Sequence, residues 1–194
     1  MFRRILICQL DSFAQIASQH RAAAILKRGH DNVCAAALFK LLSHFDAHLL
    51  NPELSRRLRG LGNMLWERTS LDRGLVELAI SITGRHWEAN VEWAAHAPRA
   101  IEYGIPASVI DDVYAGKRPS GSPEQVLMYD LCMSLHESHR LPIELYRRGV
   151  ESFGERGVME ITAIIGFYTL ISMTLNAFEV GLAPGLEAPF RRDP

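Results

Sequence analysis

Three ionisable side chains in the middle of the chain have the spacing that an α-helix would place along one stripe. Glu88, Glu92 and His96 are four residues apart, and successive members are rotated by about 40° on a helix. Under a cover of Trp87 and Trp93, one carboxylate should bind a proton near neutral pH or pair with the histidine. Such a coupled set suits general acid/base catalysis. The alternative is a solvated face on which the glutamates point outward, and spacing by itself favours that alternative.

Glu77 adds an observation that favours a site. It stands in the apolar stretch "GLVELAISIT", where a carboxylate is costly unless it is paired. An antiparallel turn at Gly84 would bring His96 within reach of Glu77, because the two arms are of comparable length. Pro98 is expected to bend the chain just after His96. An ordinary kinked core helix is the alternative.

The elements that must position these residues are predicted to be helices nearly throughout. Asn51 and Pro52 form a helix start, and no segment shows the sustained period-two alternation of a β-strand. The loop "KRPSGSP" separates two helical halves. The sequence therefore predicts an all-α protein. Beyond residue 50, the predicted helical segments are 52–67, 70–83, 85–104, 106–116, 123–140, 142–154 and 155–181.

A weak internal repeat suggests two related helical units. "GLVEL" at 74–78 recurs as "GVMEI" at 157–161. Each copy is followed by a helix of small residues, a glycine, an aromatic residue and another helix. Two units packed about a pseudo-twofold axis would explain this pattern, although shared helix composition can also produce it.

Composition narrows the class of protein. The 194 residues carry a formal net charge of −1, which argues against a generic nucleic-acid surface. The apolar runs are expected to be shorter than the roughly 20 residues that a membrane-spanning helix needs. The first residues, "MFRRILICQL", are followed by Asp11, too early for a signal peptide. A cytoplasmic protein is expected, with no nucleic-acid or membrane partner.

The cysteines and the remaining histidines do not predict a disulfide framework or a metal site. There are three widely spaced cysteines and no CxxC motif, so reduced core thiols are expected. His44 and His48 have metal-ligand spacing but lack an evident third ligand. No glycine-rich phosphate loop is present. Neither a metal nor another cofactor is therefore expected.

Residues 51–106 and 145–185 together resemble the carboxymuconolactone decarboxylase family, which includes the AhpD-like alkylhydroperoxidases. The motif consists of a helix-borne Glu, a Gly, an aromatic-rich helix and "HAPRAIEYG". The resemblance covers about residues 34 to 185. It divides the chain into an N-terminal helical extension, residues 1–33, and a carboxymuconolactone decarboxylase-like helical domain, residues 34–194.

The resemblance implies an AhpD-like helical bundle that assembles as a trimer or hexamer, with its site between helices near a subunit interface. The family's peroxidase branch uses a Glu, a C-x-x-C pair and a His. Here the Glu matches Glu77 and the His matches His96, whereas the two cysteine positions hold Ala89 and Glu92. Without these thiols a dithiol peroxidase cycle has no nucleophile and no resolving partner. The acid/base chemistry of the decarboxylase branch fits better.

The sequence-based expectation is cofactor-independent decarboxylation or isomerisation of a small carboxylated lactone or related organic acid. The expected catalytic residues are Glu77, Glu92 and His96. The expected substrate-binding residues are Trp87, Glu88, Trp93, Tyr168 and Asn176. Two alternatives stay open: a non-catalytic oligomeric protein that keeps the scaffold, and residual antioxidant activity through Cys34 or Cys132.

Overall fold

The computed structural model describes residues 51–183 and 185–190, which contain six α-helices and no strand. The predicted all-α fold is confirmed. The proposed boundary at residue 33, Cys34 and the His44/His48 pair lie outside the described residues. The helices are α1 (Pro52–Glu67), α2 (Arg73–His86), α3 (Asn90–Glu102), α4 (Ala107–Tyr114), α5 (Pro123–Ser138) and α6 (Ile143–Ala177).

Short polar side chains begin three of these helices, as their sequences allow. The Leu54 amide donates to the Asn51 side chain at 3.1 Å, and Pro52 opens α1 as predicted. Asp72 accepts from the Gly74 amide at 2.8 Å at the start of α2. Ser122 forms a capping box with the third residue of α5. These caps satisfy amides that have no partner within the helix.

Helix α2 lies at the centre of the bundle. All residues from Gly74 to Gly84 are buried, and α3, α5 and α6 pack around them. A helix that is covered on every side must be apolar around its whole circumference, apart from groups with partners. Glu77 is the one charged residue in this buried run, so its partners matter for the whole fold.

The turn between α2 and α3 lies later than predicted. Helix α2 continues through Gly84 to His86, and α3 begins at Asn90 rather than at Arg85. Gly84 is needed for close packing, because a Cβ atom there would lie 3.2 Å from the Cβ atom of Glu92. The turn instead places Glu88 in the left-handed region, with φ of 48°.

Helix α6 spans 35 residues and is interrupted at Gly154, whose φ of 71° and ψ of 166° are not helical. This break agrees with the two segments predicted on either side of Gly154. The helix then continues without a break through Gly166 and Tyr168. The second copy of the repeat is thus a single helix, whereas the first is a helix, a turn and a helix.

The apolar character of α6 was underestimated from the sequence. Residues 161–178 contain no Asp, Glu, Lys or Arg, and the helix is long and apolar enough to cross a membrane by length and composition alone. Within the described structure, 44% of its most apolar window is buried, and the helix packs against α2 and α5. Core helices of soluble proteins have the same composition, so the absence of a membrane partner stays a prediction.

The C-terminal segment folds back onto the α2–α3 turn and α4. Asn90 accepts from the Phe190 amide at 2.7 Å and donates to the Phe190 carbonyl at 3.1 Å. The Tyr114 hydroxyl donates to the Pro189 carbonyl at 2.8 Å. The Phe190 ring is buried against Trp93 and Tyr114. One asparagine side chain thereby fixes the end of the described chain.

Candidate functional site

The centre of the candidate site is a buried, hydrogen-bonded pair of side chains between α2 and α3. His96 Nδ1 lies 2.6 Å from Glu77 Oε2, and neither side chain is solvated: Glu77 is 0% exposed and His96 is 7% exposed. The second Glu77 oxygen accepts a hydrogen bond of 2.6 Å from the indole N–H of Trp66. The predicted contact between Glu77 and His96 is confirmed. Both oxygens of the buried carboxylate have a donor, as a buried charge requires.

The other ring nitrogen of the imidazole is directed toward a second carboxyl group. His96 Nε2 lies 3.4 Å from Glu92 Oε2, one helical turn earlier on α3, and Glu92 is buried too. The distance suits an ion pair, but the geometry does not form a hydrogen bond, so Glu92 Oε2 has no hydrogen-bond partner. His96 is therefore flanked by one tightly bonded acid and one loosely placed acid.

The two acids have pKa values shifted in opposite directions. Burial would raise the pKa of Glu77, but the hydrogen bond and charge of His96, together with Trp66, hold it below the ordinary value. Burial raises the pKa of Glu92, and the positive charges of His96 and Arg99 offset this only in part. Glu77 is thus the ionised partner, and Glu92 is the acid that retains its proton to higher pH.

This charge arrangement determines the histidine tautomer. An ionised carboxylate can only accept hydrogen bonds, so His96 Nδ1 must carry a proton toward Glu77. Nε2 is then the nitrogen available to exchange a proton with Glu92 or with a bound molecule. A histidine with one fixed and one available nitrogen, beside an acid whose pKa is raised, is equipped for general acid/base chemistry.

Tyr168 on α6 covers the imidazole. The two ring centroids are 5.2 Å apart in an edge-to-face arrangement. Burial, followed by the charges of Glu92 and Glu77, raises the pKa of the Tyr168 hydroxyl, so this group stays neutral. The structure therefore brings Tyr168 to His96, as expected of a residue from the second half of the chain.

Two cations near the site were not identified from the sequence. Arg99 is exposed and lies three residues after His96 on α3, and its charge acts on Glu77, Glu92 and Tyr168. Arg73 stacks over the Trp66 ring, with 3.6 Å from the guanidinium carbon to the ring centroid. The sequence signal that could have identified Arg99 is its position one helical turn after His96. Nothing in the sequence links Trp66 to Glu77.

Trp87 and Asn176 contact each other's helices rather than the imidazole. The Asn176 side chain donates to the Trp87 carbonyl at 2.7 Å, and the Trp87 indole N–H donates to the Thr169 hydroxyl at 3.3 Å. These bonds join the α2–α3 turn to α6. In the described structure, both residues therefore position the elements that carry the site, and their expected contacts with a substrate stay a prediction.

Trp93 packs against aromatic side chains of α4 and of the C-terminal segment. Its ring lies 5.5 Å from that of Tyr114 and 5.6 Å from that of Phe190. It lines an open groove with Ala97 and Pro98. Adjacent residues on a helix are rotated by about 100°, so Trp93 and Glu92 face different neighbours. The expected role of Trp93 as a wall over His96 stays a prediction.

Glu88 does not lie on the predicted stripe. It occupies the turn before α3, its side chain is exposed, and one oxygen lies 3.5 Å from Arg85 Nη1. The helical spacing that grouped Glu88 with Glu92 and His96 therefore fails at its first member. Only the last two residues of the predicted stripe share a helix.

A pair of histidines, His86 and His136, lies apart from this site. The rings of His86 and His136 are stacked with centroids 4.2 Å apart, and His136 Nε2 lies 3.2 Å from the Thr83 hydroxyl. Burial lowers the pKa of His136 to about 4. Cys132 is fully buried, and burial raises its pKa, which makes it a poor thiolate. Residues 51–183 and 185–190 contain no group of three metal-ligating side chains.

Comparisons of the chain with known proteins identify no similar protein. No protein-family model, curated protein or solved structure matches the chain. The residues of the site must therefore carry the functional argument by themselves.

Proposed function

We propose that the protein is a cofactor-independent acid/base enzyme of the carboxymuconolactone decarboxylase type, acting on a small carboxylated lactone or a related organic acid. The observation that carries the proposal is the buried series Trp66–Glu77–His96–Glu92, in which the pKa of Glu77 is lowered and that of Glu92 is raised. Pairs of titratable groups with opposite pKa shifts are typical of catalytic sites.

In this proposal Glu77 orients the imidazole and His96 Nε2 exchanges the proton. When a carboxylate leaves as CO2, the electron pair of the broken C–C bond remains on the substrate carbon, where the lactone carbonyl delocalises it. A proton from His96 Nε2 or from the Glu92 carboxyl group then binds that carbon, and solvent restores the proton. Isomerisation would use the same groups, with His96 taking a proton from one carbon and returning it to another.

Arg99 is the reason for proposing a negatively charged substrate. The exposed guanidinium, whose field reaches both acids, would attract an anionic carboxylate toward the otherwise acidic site. Tyr168 would limit the space over the imidazole and exclude water. A small monocarboxylate or dicarboxylate therefore fits this charge pattern better than a cation.

The test is a panel of carboxylated lactones and β-keto acids, followed by ultraviolet absorbance and by CO2 release. We expect His96→Gln and Glu92→Gln to abolish turnover while the circular dichroism spectrum is retained. Glu102→Gln, an exposed change on the same helix, is the matched control and should keep full activity. Equal turnover in the wild type and in both site variants would refute the proposal.

A second candidate is a non-catalytic oligomeric protein, and an exposed apolar face of α6 favours it. Met159 is 67% exposed, Met173 is 50% exposed and Leu170 is 40% exposed. They recur with Gly166 at helical spacing on one face of α6, and a Cβ atom at Gly166 would meet open space. Such a face is typical of a surface covered by another chain.

Sedimentation and melting experiments separate the two candidates. If the protein is a non-catalytic oligomer, Met173→Glu should reduce the mass of the assembly in solution. Glu77→Gln should then lower the melting temperature without altering any ligand response. If the protein is an enzyme, Glu77→Gln should also reduce turnover of whichever panel compound is converted. The two readouts are independent, since the α6 face and the acid pair do not share residues.

A further inference from the structure

Two buried polar atoms have no hydrogen-bond partner in the described part of the chain: Glu92 Oε2 and Ser172 Oγ. Ser172 is 0% exposed, and Glu92 is 5% exposed. Buried polar atoms in folded proteins are almost always satisfied by protein or by an ordered molecule. Two orphaned atoms in one small bundle therefore require an explanation, and a common position would supply one.

The Ser172 hydroxyl lacks a bond that several other hydroxyls on the helices make. A helical serine or threonine commonly donates to the carbonyl four residues earlier. Ser172 makes no such bond to the Tyr168 carbonyl, so its hydroxyl is available for another acceptor. The hydroxyls that do donate in this way, at 2.7 to 2.9 Å, are those of Ser81, Thr83, Ser138, Thr162 and Thr174.

The register of α3 against α6 places Ser172 level with Glu92. The two helices run antiparallel, because Tyr168 contacts His96 whereas Asn176 bonds to the carbonyl of Trp87, before α3 begins. Ser172 lies one turn after Tyr168, and Glu92 lies one turn before His96. Corresponding positions on antiparallel helices thus carry the two orphaned atoms.

The chemistry of the two groups is complementary to a single oxygen atom. Burial raises the pKa of Glu92, so its carboxyl group can donate a hydrogen bond. The serine hydroxyl is a donor as well. An oxygen with two lone pairs accepts both bonds, and Glu92 Oε2 is also the atom 3.4 Å from His96 Nε2. Any oxygen held there would lie beside the nitrogen that exchanges protons.

We propose that Ser172 and Glu92 together bind one oxygen atom: a water molecule in the resting protein, and a carbonyl or carboxylate oxygen of the substrate in its place. The first half concerns the free protein only, whereas the second half rests on the proposed function. Ser172 is then a substrate-binding residue contributed by α6, opposite the acid/base pair on α3.

A crystal structure of the full chain at high resolution tests the first half directly. We expect electron density for one water molecule within hydrogen-bond distance of both Ser172 Oγ and Glu92 Oε2, and loss of that density in Ser172→Ala. A Ser172 hydroxyl bonded to the Tyr168 carbonyl, with no density between it and Glu92, would overturn the proposal.

A double-mutant cycle tests the same coupling in solution. The shifts in melting temperature of Ser172→Ala and Glu92→Gln should not add in the double variant, because both groups share one ligand. Thr174→Val is the matched control, since its hydroxyl already bonds to the Leu170 carbonyl, and its shift should add to that of Glu92→Gln. Additive shifts for Ser172 would contradict the proposal.

The second half is tested with any carboxylate that the panel identifies as a ligand. Ser172→Ala should raise its dissociation constant about tenfold, the loss of one hydrogen bond, while Glu102→Gln leaves it unchanged. An ordered water with unaltered ligand affinity would overturn the substrate half alone. Absence of any turnover would overturn the proposed function and leave the water-binding half intact.

Discussion

Replacing Glu92 by glutamine should change how the stability of the protein depends on pH. Burial raises the pKa of Glu92 above the value of about 4.3 that a glutamate has in an unfolded chain. As the pH rises between these two pKa values, the unfolded chain has already lost the proton that the folded protein still holds. The contribution of Glu92 to the free energy of unfolding must therefore fall across this interval.

The magnitude follows from the single proton involved. Linkage gives the contribution of Glu92 a negative slope of at most about 1.4 kcal/mol per pH unit between its unfolded and its folded pKa. Glutamine does not titrate, so the stability of Glu92→Gln relative to the wild type should rise with that slope. Glu77 is present in both proteins, and its lowered pKa moves its own effect below about pH 4.5. A constant cost of about 1–3 kcal/mol for a buried amide without partners shifts the whole curve.

Urea unfolding from about pH 4 to about pH 9, followed by circular dichroism, measures both curves. Glu102→Gln, exposed on the same helix, should run parallel to the wild type. If Glu92→Gln also runs parallel to the wild type over this range, Glu92 has an ordinary pKa. The acid would then be ionised at neutral pH, and the division of roles between the two glutamates would be wrong.

Three further changes test the surroundings of the site. Trp66→Phe removes the 2.6 Å hydrogen bond to the Glu77 carboxylate and should cost about 1.5–3 kcal/mol in urea unfolding. His136→Phe should reduce the loss of stability as the pH falls from about 6.5 toward about 4, because burial lowers the pKa of His136 and the unfolded chain binds the proton first. Gly84→Ala places a Cβ atom 3.2 Å from that of Glu92 and should lower the free energy of unfolding by about 1–3 kcal/mol.

Each of these expectations has a result that contradicts it. Wild-type stability in Trp66→Phe would mean that water replaces the indole donor. Identical acid limbs for His136→Phe and the wild type would assign the acid sensitivity to other groups. A Gly84→Ala protein as stable as the wild type would show that α2 and α3 can separate slightly without loss of packing.

The pairing of Glu77 with His96 was predictable because it depends on simple physics. A carboxylate within an apolar helix needs a partner, and an antiparallel arm of matching length supplies one. The all-helical fold was predictable because no segment of the sequence shows the period-two alternation of a β-strand. Glu92 was correctly placed beside His96 because both residues lie on one continuous helix.

Glu88 was misjudged because periodicity cannot locate a turn that has no glycine or proline. Glu88 itself takes the positive φ of that turn, whereas Gly84, which looked like the break, allows close helix packing. The contacts of Trp93 with the C-terminal segment could not be foreseen, since Asn90 and Phe190, which fix that segment, are 100 residues apart. Trp66 was missed because a hydrogen bond between an indole and a carboxylate on separate helices leaves no pattern in the sequence.

Trp66 is carried by the least buried helix described. Of the residues in α1, Leu65 alone is buried, and Gly62 rests against the Phe167 ring of α6. Helices with few buried contacts open locally well below the free energy of global unfolding. Each such opening would withdraw the indole donor from Glu77 and expose the carboxylate to water. The proton occupancy of the site would then be controlled by the docking equilibrium of α1, and amide hydrogen exchange in α1 would report on it.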